Sequence, residues 1–206
     1  MKKVLCIAAH ADDEILGCGG TMAKRVGDGD KVNALILCKD RWEMAYNTTK
    51  VIGHENNYCQ FDDQKFDGYH LLEITQAIEF MIKKLEPQII YTHWIGDLNL
   101  DHQITARAVL TACRPLPASS IEAIYGFEIC SSTEWGTQPF VPTHFEVLSG
   151  GHVVKKNNAL ECYGAEIKPY PHARSSVAIG SQWDKRGCEC GNNYAEAFHT
   201  YRTIRR

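Results

Sequence analysis

The alternation of two residue periodicities most restricts how this 206-residue chain can fold. Val4–Ala9, Lys31–Cys38 and Gln88–His93 are short apolar runs with β-branched residues at their cores. Between them lie stretches with helical spacing: Asp13–Gly27, closed by a Gly-Asp-Gly stop, then Arg41–Gly53 and His70–Leu85, the last ended by Glu86-Pro87. Continuous apolar strands are buried on both faces, and the alternating helices are what covers them. Because strand–helix–strand crossovers are right-handed, the expected class is α/β. It is a Rossmann-like three-layer α/β/α arrangement on a mostly parallel sheet.

Further along, a helix over Leu100–Ala112 stops at Arg114-Pro115-Leu116-Pro117. Ile121–Cys130 and His144–Leu148 read as strands on either side of a polar, proline-containing loop, Ser131–Thr143. His152–Tyr163 reads as a helix, and Ala165–Arg206 as short helical pieces mixed with Gly and Pro. With no repeat, low-complexity tract or linker, residues 1–206 are expected to form one domain.

Charge narrows the partners. A net charge of −3 with scattered Lys and Arg gives no basis for nucleic-acid binding, so a small-molecule substrate is expected. The apolar run at Val4–Ala9 ends at His10, too short for a secretory leader or a membrane span. No membrane partner is expected, and the oligomeric state stays open. Nine cysteines, an odd and irregularly spaced set, several in apolar runs (Cys6, Cys38, Cys113), read as free thiols of a reducing compartment. The expected location is the cytoplasm, which makes the acceptor-like Asn47-Thr48-Thr49 a chance match.

In open parallel sheets, ligands bind beyond the carboxyl ends of the strands. His10 leaves the first strand at that edge, and Asp12 and Asp13 follow in the turn and first helical turn. An imidazole and a carboxylate three residues apart can converge on one cation, and a second carboxylate beside them can take a proton from water. Asp12 and Asp13 could equally cap the helix and complement its dipole. Gly17, Gly19 and Gly20 do not form a dinucleotide fingerprint, and aspartates at that turn would repel a pyrophosphate. Close helix–sheet packing explains them instead.

A second cluster, His93-Trp94-Ile95-Gly96-Asp97-Leu98-Asn99-Leu100-Asp101-His102, starts at another strand's carboxyl end. Either His93 or His102 would supply a third ligand and leave one coordination position open, the pattern of catalytic zinc.

The strand followed by His-Ala-Asp-Asp-Glu, with the later Asp-Leu-Asn-Leu-Asp-His, resembles the PIG-L/LmbE-like family of zinc-dependent N-deacetylases. Tyr170-Pro171-His172-Ala173-Arg174-Ser175, Arg186-Gly187 and Tyr194-Ala195-Glu196-Ala197-Phe198 extend the likeness over nearly the whole chain. The resemblance implies that His10, Asp13 and His102 bind zinc, with ferrous iron an alternative, and that Asp12 is the general base. It also implies removal of an N-acetyl or related acyl group from an amino sugar or sugar conjugate. The family motif has Pro at Ala11. Many relatives carry His where this chain has Asn99, which can donate only a neutral hydrogen bond to the acyl oxygen.

Arg41, Asp63, Arg174 and Glu196 are the expected substrate contacts, and Trp42, Trp94 and Trp135 candidates for stacking on a sugar face. Cys188-Glu189-Cys190 with His199 is a weaker second zinc candidate. Amide cleavage in a thiol–sugar conjugate and a non-catalytic carbohydrate-binding role are the competing readings. No G-x-S-x-G elbow, P-loop or H-E-x-x-H motif is present.

Overall fold

A computed structural model describes residues 1–205. Its seven strands, β1 (Lys3–Ala8), β2 (Lys31–Cys38), β3 (Glu55–Phe61), β4 (Ile89–His93), β5 (Ala123–Phe127), β6 (His144–Leu148) and β7 (Tyr194–Thr203), form one sheet. Their order is β3-β2-β1-β4-β5-β7-β6. The first five run parallel; β7 is antiparallel to both β5 and β6. The helices are α1 (Asp13–Gly27), α2 (Trp42–Ile52), α3 (Leu71–Leu85), α4 (Leu100–Ala112), α5 (Gly150–Glu161) and α6 (Ser176–Glu189).

The pleat divides the core into two layers. Val4 and Cys6 of β1 face a cluster built with α1, α2, α5 and α6, whereas Leu5 and Ile7 face one built with α3 and α4. This is the expected three-layer α/β/α arrangement. Gly17 sits where any Cβ would overlap the Phe127 ring, and one at Gly20 would stand 2.5 Å from Leu148 Cδ1. The glycines therefore let α1 approach the sheet, as expected.

Two strands were not expected. β3, Glu-Asn-Asn-Tyr-Cys-Gln-Phe, lies at the sheet edge and is only half-buried, so it lacks an apolar run. β7 replaces much of the expected irregular C-terminal segment with ten residues of strand between β5 and β6. Its polar residues hide the pattern, because one of them, Glu196, is buried and paired. β5 is also shorter than the expected Ile121–Cys130, since the chain turns after Phe127.

The topology reverses between β1 and β4, which are neighbours although β2 and β3 are built between them in sequence. A crevice opens at such a switch point, beyond the strands' carboxyl ends. Both sequence motifs arrive there.

Candidate metal centre and active site

β1 ends at Ala8, and the chain turns sharply through His10 and Asp12 into α1. Asp12 takes a φ of 126°, in the region that L-residues avoid, and its side chain makes no capping hydrogen bond. The capping reading of this aspartate therefore fails. Its carboxylate is buried and directed elsewhere. Glu14 holds the turn instead: its Oε2 accepts the Asp12 amide at 3.0 Å, and its Oε1 accepts the Tyr163 hydroxyl at 2.5 Å.

The second arm comes from the start of α4. Asn99 Oδ1 caps that helix, accepting the amides of Asp101 at 2.8 Å and His102 at 3.3 Å. Only the amide NH₂ of Asn99 is left to act as a donor. His102 Nε2 comes within 3.3 Å of Asp13 Oδ2, and His10 Nδ1 within 3.2 Å of the same oxygen. One ligand atom each from His10, Asp13 and His102 lies within 4.8 Å of the others. Asp13 Oδ1 and His102 Nε2 are buried without a hydrogen-bond partner, and His102 Nδ1, which faces Asp97, makes none either. Buried polar atoms left unsatisfied are costly, and a cation satisfies the first two, so this donor set fits a divalent metal.

His93 lies outside that set, although its Nδ1 is also buried without a partner. Its Nε2 accepts the Ala9 amide at 2.9 Å, and its ring stacks on His102 with centroids 4.0 Å apart. Of the two histidines left open by the sequence, the cluster gathers His102.

Each histidine of the cluster has a carboxylate behind it. Asp101 Oδ2 lies 3.1 Å from His10 Nε2, and Asp97 Oδ1 lies 3.1 Å from His102 Nδ1. Carboxylates placed in this way fix the tautomer and orientation of metal-binding imidazoles. Burial disfavours the charged form of His10, but Asp101 and Asp13 outweigh it and carry its pKa up to about 10. Burial likewise lowers that of His102, and Asp13 and Asp97 more than offset it, to about 9. Asp13 is held well below the usual carboxylate range: His102, His93 and His10 overcome the opposing effect of burial. Protons drawn this strongly by surrounding carboxylates mark a place where a cation can displace them. No role for Asp97 or Asp101 follows from the sequence alone; Asp97 reaches His102 from the turn just before α4, whereas Asp101 is brought to His10 by the tertiary fold.

Around Asp12 stand two guanidinium groups. Arg174 Nη1 donates to Asp12 Oδ2 at 2.9 Å, and Arg41 Nη1 lies 3.7 Å from the same oxygen. Glu166 Oε1 is 2.9 Å from Arg41 Nη1, and Oε2 is 3.5 Å from Arg174 Nη1. Burial, then the Asp13 charge, push the Asp12 carboxyl up to about 7, against the pull of Arg174 and Arg41. Arg41 and Ser131, like Asp12, have positive φ, at 60° and 72°. Such backbone is retained where its surroundings over-determine it, and Arg41 and Ser131 place or contact the two guanidinium groups beside Asp12.

The remaining candidates divide. Asp63 Oδ1 lies 3.2 Å from His10 Nε2, and His10, Asp63 and Asp101 form a second group of possible ligands. Glu196 is a correction. It is buried on β7, its oxygens taken by the amides of Gly20 and Thr21 and by Lys156, so it binds the protein's own groups instead of a substrate. Trp94 is buried against His199 and Phe140, whereas Trp42 and Trp135 are exposed. Among the described residues, Cys188 and Cys190 join no group of potential ligands with His199. All nine cysteines are free.

A family model described as PIG-L, GlcNAc-PI de-N-acetylase, matches residues 5–113. The uncharacterized deacetylase YaiS of Escherichia coli K12 is 29% identical over 175 residues, 78% of this chain and 89% of that one. Among solved structures, the N,N′-diacetylchitobiose deacetylase of Pyrococcus horikoshii superposes with a TM-score of 0.77 at 17% identity, over 97% of this chain and 83% of its own. GalB, the 4-carboxy-2-hydroxymuconate hydratase of Pseudomonas putida KT2440, reaches 0.76 at 17% identity, over 100% and 98%. At that identity the likeness is one of fold.

Proposed function

The chain belongs to the PIG-L family, and from that premise we propose that it is a zinc-dependent N-deacetylase of an N-acylated amino sugar or sugar conjugate. One observation carries the reading: His10, Asp13 and His102 converge, and a buried, non-capping carboxylate, Asp12, stands beside them. The YaiS likeness supports amide hydrolysis over the hydratase chemistry that GalB shows the fold also accommodates. Its site of action would be the cytoplasm.

His10, Asp13 and His102 would hold the zinc ion, which would supply Lewis acidity and activation of water there. Asp12, buried beside these ligands and not engaged in capping, accepts a proton from the attacking water and returns it to the leaving nitrogen. The Asn99 NH₂ group, its oxygen spent on the helix cap, donates to the acyl oxygen as charge develops there. Arg41 and Asp63, both partly exposed beside the cluster, meet the substrate's polar groups.

The test is acetate release by the zinc-loaded protein from a panel of N-acetylglucosamine compounds, free, nucleotide-linked and within glycans. Asp12→Asn is expected to keep its metal and lose about 10²-fold or more in turnover. Full turnover in that variant, with metal bound, overturns the assignment.

A further inference from the structure

After β5 the chain makes a tight turn that touches both arms of the site. Ser132 and Thr133 amides bond to the Ile129 carbonyl at 3.2 and 2.9 Å, and the Ile129 amide donates to Thr133 Oγ1 at 2.7 Å. Glu134 accepts the amides of Ser131 at 2.7 Å and Ser132 at 3.2 Å. The turn is therefore fixed by its own hydrogen bonds, and three consecutive hydroxyls project from it.

Two of the three point at Asp97. Ser132 Oγ donates to Asp97 Oδ1, and Thr133 Oγ1 to Oδ2. Asp97 Oδ1 also accepts the Asn99 amide at 2.8 Å. Those donors leave the buried carboxylate little freedom, and the ring that it faces is His102, with Nδ1 3.1 Å away. The third hydroxyl serves the other arm. Ser131 Oγ accepts Arg174 Nε at 2.8 Å, and the same guanidinium donates through Nη1 to Asp12. A planar guanidinium held at Nε has its remaining donors aimed in fixed directions.

We propose that Ser131, Ser132 and Thr133 form one positioning element shared by Asp12 and His102. Ser131 acts through Arg174 on Asp12, and Ser132 and Thr133 act through Asp97 on His102. Arg174 is on this account a positioning residue and not a substrate contact. The Arg174 arm rests on the reading of Asp12 as the base; the Asp97 arm rests only on His102 holding a metal.

The two arms have different signatures. Disturbing a carboxylate behind a metal-binding histidine weakens metal binding by about 10–100-fold. Ser132→Ala is expected to lose zinc affinity in that range in competition with a chromophoric chelator, while Ser132→Thr and Thr133→Ser, which keep the hydroxyls, bind as the wild type does. Arg174→Met is expected to keep zinc affinity and KM but to lose at least about 10-fold in kcat, the pattern of a group acting only in the transition state. Arg174→Lys should restore part of that loss, and added guanidinium ion should restore part of it in Arg174→Met. Thermal melts of every variant separate these effects from misfolding.

Unchanged zinc affinity in Ser132→Ala overturns the Asp97 arm. A raised KM with unchanged kcat in Arg174→Met makes Arg174 a substrate contact and overturns the other. Absence of any wild-type turnover removes the deacetylase reading and the Arg174 arm with it, while chelator competition still decides the Asp97 arm.

Discussion

Lys156 Nζ lies 2.6 Å from Glu196 Oε1, and both side chains are buried inside the protein. Their surroundings explain why a buried pair is kept. α1 departs from helical geometry at Cys18, with φ of −147° and ψ of 23°. A break of that kind strips nearby backbone groups of their helical partners, and they must be satisfied in another way. Lys156 donates to the Leu16 carbonyl at 2.8 Å, and Glu196 accepts the amides of Gly20 at 2.9 Å and Thr21 at 2.7 Å. The pair mends the kinked helix.

Removing one member leaves a buried charge and unsatisfied helix groups together. Glu196→Ala is expected to cost about 3–5 kcal/mol. Chemical denaturation should show the loss as a lower midpoint. At temperatures where the variant stays folded, its KM should match the wild type, because the Glu196 oxygens are already taken by Gly20, Thr21 and Lys156. A raised KM in the folded variant would return Glu196 to the substrate contacts.

Asp101 supports His10 as Asp97 supports His102, but it also accepts the Phe66 amide at 3.1 Å through Oδ1. Asp101→Asn keeps the volume and replaces one acceptor oxygen by a donor. Zinc affinity is expected to fall by about 10–100-fold, with the fold intact by circular dichroism. Metal content after dialysis against a weak chelator measures it, and wild-type retention would deny Asp101 this role.

Gly17 faces the Phe127 ring where α1 packs against the sheet. Gly17→Ala would improve helix propensity in an exposed helix, but here its Cβ enters occupied space. Overpacking of this kind costs about 1–3 kcal/mol. Denaturant titration should show destabilisation. Since α1 carries Asp12 and Asp13 at its start, turnover should fall too. Unchanged stability would mean that the ring moves aside freely.

The sequence exposed most of what positions the candidate metal ligands. β1 and β4 are apolar runs that end at histidine-bearing turns, and the bounds expected for α1, Asp13–Gly27, match those observed. Hidden features depend on partners distant in the chain. Asp97 looks like any turn aspartate until Ser132 and Thr133 close on it. The spacing His10 to Asp13 signals convergence because one turn links them, whereas no local rule chooses between His93 and His102. The tertiary fold gathers His102 with His10 and Asp13, while the Ala9 amide occupies His93 Nε2. Asn99 is half legible: its place at the start of α4 invites capping, and capping takes the oxygen while leaving the donor.

Away from the cluster, Glu146 gives the fold a sign-determined response to acid. It sits on β6 with Lys24 Nζ at 2.7 Å, Arg25 Nη2 at 2.7 Å, the Tyr91 hydroxyl at 3.3 Å and His144 Nε2 at 3.3 Å. Burial raises its carboxyl pKa, but the hydrogen bonds and charges of His144, Lys24 and Arg25 prevail and hold it well below the usual carboxylate range. In the unfolded chain it titrates near about 4.3. Above that value both states are ionised and the folded state has the full benefit of the pairing. As pH falls from about 5, the unfolded state takes up the proton first, so the benefit drains away towards the lower folded-state pKa. Denaturant midpoints measured from pH 7 to pH 3 should therefore decline more steeply in the wild type than in Glu146→Gln, which should start from a lower midpoint at pH 7. Parallel curves would mean that Glu146 has the same pKa in both states and that the ion pairs around it add nothing to folding.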